Sequence, residues 1–154
     1  MKFTTILIIT LISITSCGYT VVSQKDFDKY KIENLIISGD KRIAYLLRNK
    51  LKSNNKNTSK IINLDLSSNK VKNIKEKNIQ NNVNKYEIII TIIVNFEILD
   101  SNKSGQFTIQ KKGNYNVSGR HGITLSNEKK LINNLTEKIS EQIFETLALS
   151  INDL

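Results

Sequence analysis

The sequence predicts an α+β domain in which two helices pack on one face of a four-stranded antiparallel or mixed sheet, in the order β-α-β-β-β-α. Three observations predict it. Segments 60–67 and 86–99 place apolar side chains at every second residue, segments 43–51 and 132–147 place them every three or four, and no proline interrupts any element.

Ile32 to Ser38 is the first strand, with Leu35, Ile36 and Ile37 at its centre. Ser38-Gly39-Asp40 breaks it, and Asp40 is placed to cap a helix carrying Ile43, Leu46, Leu47 and Leu51, which should end near Ser53-Asn54-Asn55. From Lys60 to Ser67, Ile62, Leu64 and Leu66 alternate with Ile61, Asn63, Asp65 and Ser67, the pattern of a half-buried strand. Asn69 to Lys85 holds five lysines, one glutamate and several asparagines. It either extends that strand into a long hairpin arm or stays mobile.

Tyr86 to Leu99 carries the clearest strand signal, with Tyr86, Ile88, Ile90, Ile92, Val94, Phe96 and Ile98 on one face. The other face mixes Ile89, Ile93 and Leu99 with Glu87, Thr91, Asn95 and Glu97, as a central strand with some cover on both sides would. A turn over 100–105 leads into a return strand through Phe107, Ile109, Tyr115 and Val117. The second helix, about 126–149, aligns Ile132, Leu135, Ile139, Ile143 and Leu147 in a stripe, with Lys130, Glu137, Lys138, Glu141 and Glu145 facing away.

Residues 1–16 have the grammar of a secretory leader: Met1-Lys2 is basic, Phe3 to Ile14 apolar, and Thr15-Ser16 small. The apolar run is shorter than the about 20 residues a spanning helix needs. Ile14-Thr15-Ser16-Cys17 matches the pattern read by bacterial lipoprotein processing, and Cys17 is the only cysteine, so its thiol is the expected lipid acceptor. Two or three acyl chains such as palmitate make a durable anchor. Gly18, where an aspartate is the usual signal for inner-membrane retention in enteric bacteria, favours the outer membrane. Residues 17–31 then read as a lipidated tether and 32–154 as one domain.

The formal charge of +9 is uneven, since residues 125–154 hold more acids than bases. Lysine outnumbers arginine 20 to 3, and Asn, Lys and Ile supply 65 of 154 residues, the usage of AT-rich coding. Nucleic-acid recognition, which wants arginine forks or aromatic platforms among its charges, is not supported. Catalysis has equally little support. His121 stands alone between Arg120 and Gly122, Glu137, Glu141 and Glu145 lie opposite an apolar stripe, and neither metal ligands nor a glycine-rich phosphate loop cluster. No cofactor is expected.

Two binding features stand out. Residues 101–124 contain Lys103, Lys111, Lys112 and Arg120 and no acid, so Lys111, Lys112 and Arg120 form a candidate contact for the phosphates of an anionic lipid such as lipopolysaccharide, with ordinary surface lysines as the alternative. Two helices cover only one sheet face. The Ile89, Ile93 and Leu99 side is therefore a candidate partner surface, unless the hairpin arm or the tether folds across it.

The chain resembles the LptE family, outer-membrane lipoproteins of lipopolysaccharide assembly. The resemblance rests on Cys17-Gly18-Tyr19, on RIAYLLRNKL from Arg42 to Leu51, on YEIIITIIVNFEIL from Tyr86 to Leu99, and on a final segment with Tyr115-Asn116-Val117-Ser118, Glu128-Lys129 and the Leu135, Ile139, Ile143, Leu147 ladder. The family's frequent proline after the Cys-Gly-aromatic opening is missing, and the 69–85 insert is unusually rich in lysine and asparagine. Membership implies a non-enzymatic plug inside a large LptD β-barrel, assisting its assembly and contacting lipopolysaccharide on its way to the outer leaflet. The rival readings are an auxiliary lipoprotein of a lipid-transport ABC system, or another envelope binding module, and an enzyme tethered by its lipid.

Overall fold

In the computed structural model, which describes residues 30–52 and 60–152, the chain runs β1 (Tyr30–Gly39), α1 (Lys41–Leu51), β2 (Lys60–Lys77), β3 (Val83–Ile98), β4 (Lys103–Asn116) and α2 (His121–Asn152). The leader, Cys17 and all of the tether up to residue 29 lie outside the described residues. β1 starts at Tyr30, so the last two residues assigned to the tether belong to the sheet.

The four strands lie in chain order. β1 pairs parallel with β2, joined through α1, while β2, β3 and β4 form an antiparallel meander. The sheet is therefore mixed, as a helix between two neighbouring parallel strands requires. Both helices cover the same face. Ile62, Leu64 and Leu66 of β2, the even positions of β3 from Ile88 to Ile98, and Ile109 and Tyr115 of β4 point into a core completed by Ile43, Leu47 and Leu51 of α1 and the predicted stripe of α2. Arg42 reaches Asn133 at 3.3 Å and Lys50 pairs with Glu137 at 3.0 Å, tying the helices together on their exposed side.

Residues 69–85 form the arm. β2 runs on to Lys77, ten residues past its alternating segment, and returns through the loop 78–82. There the Asn78 carboxamide oxygen accepts the amides of Gln80 and Asn82, and Asn81 takes φ +64°. Lysine and asparagine have little intrinsic strand preference. Cross-strand ion pairs compensate: Lys85 with Glu76 at 2.8 Å and Lys75 with Glu87 at 3.3 Å. β4 also flanks β3 as far as Lys85, so the arm is three strands wide.

β1 stops where β2 continues. At Gly39 the backbone turns with φ +96°, and a Cβ there would run into the Ser68 carbonyl oxygen of β2. The buried Ser68 hydroxyl donates to the Ser38 carbonyl at 2.8 Å and accepts the Asp40 amide at 3.0 Å. Asp40 then caps α1, its carboxylate accepting the amides of Arg42 and Ile43. α2 starts at His121, earlier than its apolar stripe suggested, because the Thr124 hydroxyl accepts the Ser118 amide and donates to the Ser118 carbonyl, closing the turn into the helix.

Gly39→Ala should cost more than about 1 kcal/mol in urea unfolding, because it adds a left-handed alanine to a steric clash. Ile90→Ala, at a fully buried site, should cost about 2 to 5 kcal/mol in the same measurement.

Candidate functional site

The face of the sheet away from the helices has no covering layer among the described residues. Strand alternation sends the odd positions of β2 and β3 and the even positions of β4 to it. The register then sorts these side chains into rows across the strands.

Near the end where the chain enters the domain, the rows are polar apart from the exposed Ile36. Asn34, Asn63, Glu97 and Ser104 form one, and Ile36, Asp65, Asn95 and Gln106 the next. The Asn34 carboxamide donates to Asn63 at 3.1 Å and Asn63 donates to Glu97 at 3.2 Å. Gln106 donates to Asn95 at 2.8 Å, and farther along Gln110 donates to the Thr91 hydroxyl at 3.0 Å. Between the first two rows lies a shallow groove of about 770 Å³, floored by the backbone of the four strands.

Toward the arm the same face carries apolar side chains in two rows, separated by the polar row of Asn69, Thr91 and Gln110. Val71, Ile89 and Lys112 share a row, and Ile93 sits between Ser67 and Thr108. Val71 and Ile93 are about two-fifths exposed. The candidate partner residues thus split. Ile89 and Ile93 belong to this patch with Val71, whereas Leu99 is exposed about 20 Å farther along, next to Ile61 at the opposite end of the face.

The candidate cations also divide. Lys111 is half-buried on the helix side of β4, opposite Ile90, whereas Lys112 is exposed on the open face beside Ile89. Arg120 is exposed in the loop before α2. Two residues nominated for different reasons, Ile89 and Lys112, are therefore neighbours. His121 is exposed at the first residue of α2. Among the described residues no three His, Cys, Asp or Glu side chains gather as a metal site, and no helix is long and apolar enough to cross a membrane.

On the helix side, a cluster that sequence reasoning missed fastens the arm. Lys72 Nζ pairs with Glu128 of α2 at 2.7 Å and lies 4.4 Å from the Tyr86 ring centroid and 5.4 Å from that of Tyr115. The two rings stack at 5.6 Å, and the Tyr115 hydroxyl donates to Glu128 at 2.7 Å. Lys70 pairs with Asp40 at 2.8 Å. Partial burial works to raise the carboxyl of Glu128, but the hydrogen bonds from Lys72 and Tyr115 outweigh it and hold its pKa below the ordinary value. Asp40 is likewise lowered, burial being outweighed by Lys70 and the helix amides. Burial alone would lower the pKa of Lys72, yet Glu128 and Tyr115 raise it. Two lysines spaced i, i+2 on a strand were the available signal, but their partners are set by tertiary packing.

The sign of the pH dependence follows. Carboxyls lowered on folding contribute stability above their unfolded values, 4.5 for Glu128 and 3.8 for Asp40, and lose it as pH falls through the folded values. Glu128→Gln should lower stability by about 1 kcal/mol at neutral pH. In urea titrations from pH 7 downward, its difference from the parent protein should close below pH 4.5. A difference independent of pH would contradict the ion pair.

No family model and no curated protein sequence matches the chain. Solved structures do. A rare lipoprotein B from Shewanella oneidensis superposes with a TM-score of 0.62 at 16% identity, over 80% of this chain and 98% of that one. A lipoprotein from Caulobacter crescentus CB15 gives 0.57 at 11% identity over 84% and 94%, and lipoprotein B from Nitrosomonas europaea gives 0.54 at 12% over 82% and 88%. At these identities the likeness establishes a shared fold: a mixed four-stranded sheet with two helices on one face, found in bacterial lipoproteins.

Proposed function

We propose that the chain is an outer-membrane lipoprotein, acylated at Cys17, that docks its open sheet face against a β-barrel partner resembling LptD and assists lipopolysaccharide assembly without catalysing a reaction. The observation that carries this reading is the uncovered sheet face, where Val71 and Ile93 are exposed and Ile89 is half-buried, although β3 buries its even positions from Ile88 to Ile98 completely or nearly so. Single exposed apolar residues are ordinary, but Val71, Ile89 and Ile93 recur on one face that no helix covers, among polar side chains suited to the rim of an interface. Support also comes from the leader and Cys17, from the LptE resemblance, and from the fold shared with three lipoproteins of Gram-negative bacteria. In this reading Lys112, next to Ile89, and Arg120 and Lys111 nearby in the chain supply cations for lipopolysaccharide phosphates.

The acylated protein, extracted from outer membranes in mild detergent, should recover a stoichiometric β-barrel. Recovery of an ABC transporter would replace the proposal with the transport-auxiliary reading, and recovery of neither would remove it. The double substitution Ile89→Lys, Ile93→Lys should reduce the barrel recovered at least about tenfold, since central apolar contacts of an interface are worth more than about 1.4 kcal/mol. Replacing Lys111, Lys112 and Arg120 together by Ser should weaken binding to purified lipopolysaccharide.

A further inference from the structure

The chain enters the domain at Tyr30, beside Lys60, and α1 finishes at this same end of the sheet. Between β1 and the last turn of α1 opens a cavity of about 260 Å³, lined by Ile32, Leu35 and Leu51, with Glu33, Arg48 and Lys52 around them. Glu33 is taken by Lys31 at 2.8 Å. Among the described residues Arg48, Lys52 and Lys60 have no side-chain partner. The carbonyls at the end of α1 offer the equivalent of about half a negative charge, and Asp100, whose carboxylate accepts the Ile61 amide at 3.1 Å beside Lys60, adds one, still short of three cations. The arm is the opposite case. Lys70, Lys72, Lys75 and Lys85 are each paired with a carboxylate, and Lys77 donates to Asn81. The lysine-rich segment is thus largely paired, whereas Arg48, Lys52 and Lys60 are, among the described residues, three unpaired cations at the end where the anchored chain comes in.

Twelve residues separate Cys17 from Tyr30, and even fully extended they reach no more than about 45 Å. We infer that this end of the domain is a phospholipid-headgroup face: Arg48, Lys52 and Lys60 engage the phosphates of the anionic leaflet that holds the Cys17 acyl chains, and the cavity beside Arg48 and Lys52 takes the nearest headgroup. The inference rests on acylation of Cys17. Acyl chains alone fix distance but not orientation. Each cation at an anionic surface multiplies the population of the seated orientation about fivefold, so three give about a hundredfold, fading as salt shortens the screening length.

The test uses the full acylated chain carrying Asn49→Cys, an exposed position beside Arg48, labelled with bimane, Cys17 being blocked by its lipid. Vesicles are phosphatidylcholine alone or with about one third phosphatidylglycerol, each doped with a headgroup-nitroxide lipid that quenches the label. Quenching should be at least about twofold greater with phosphatidylglycerol at about 50 mM salt, and should drop to the phosphatidylcholine level at about 0.5 M salt. The same drop should follow Arg48→Glu, Lys52→Glu, Lys60→Glu. A label at Gln80→Cys, on the hairpin tip, should stay unquenched in both. Equal quenching of the Asn49→Cys label in the two vesicles overturns the inference and leaves the barrel reading intact. Protein that fails to float with either vesicle is not acylated, and that overturns both.

Discussion

The fold depends on one termination. β1 must end at Gly39, because only a residue without a side chain can turn left-handed against the Ser68 carbonyl, and Ser68 then fixes both the end of β1 and the first residue of α1. From there the sheet is three strands wide instead of four. α1 is directed back over β1, and α2 has to start early enough to cover the distal half, which it does by opening at His121. Lys70 and Lys72, the first inward positions of β2 beyond the junction, join the overhang to the capping carboxylate of α1 and to Glu128 of α2.

These ion pairs are a device of alignment more than of stability. A partly exposed pair contributes from about 0 to 1 kcal/mol, whereas the core buries a dozen large aliphatic side chains almost completely. What the pairs specify is register. Asn and Lys on both sides of a hairpin arm give no strong hydrophobic reason to prefer one pairing, and a slip by one residue would separate Glu76 from Lys85 and Lys72 from Glu128. The Tyr86 and Tyr115 rings beneath Lys72 make the arm's one aromatic fastening point, and place it where α2 begins.

The two-layer order and both apolar stripes were legible in the sequence because each is a local period: Ile88 to Ile98 in steps of two, Ile132 to Leu147 in steps of three or four. The odd-numbered face of β3 was legible for the same reason. Its cross-strand polar rows were not, since Asn34 meets Asn63 across 29 positions and Asn63 meets Glu97 across 34. The choice between an arm and a mobile loop also lay beyond local reading. Residues 69–77 are strand because of what faces them in 83–91 and because Glu128, 56 positions from Lys72, comes to rest above them. Hydroxyl capping by Ser118 and Thr124, with no apolar period to advertise it, hid the start of α2.

The overhang of β2 beyond β1 leaves residues 69–77 with one strand edge unpaired among the described residues. An edge of that length is a template for self-association. Lys70, Lys72, Lys75 and Lys77 stand along it as gatekeepers, since stacking a second molecule there would strip water from them and from their carboxylate partners. A compositional bias that looks neutral elsewhere in the chain is thereby protective here. Replacing one of these guards with isoleucine would put on that edge the kind of side chain that nucleates aggregation.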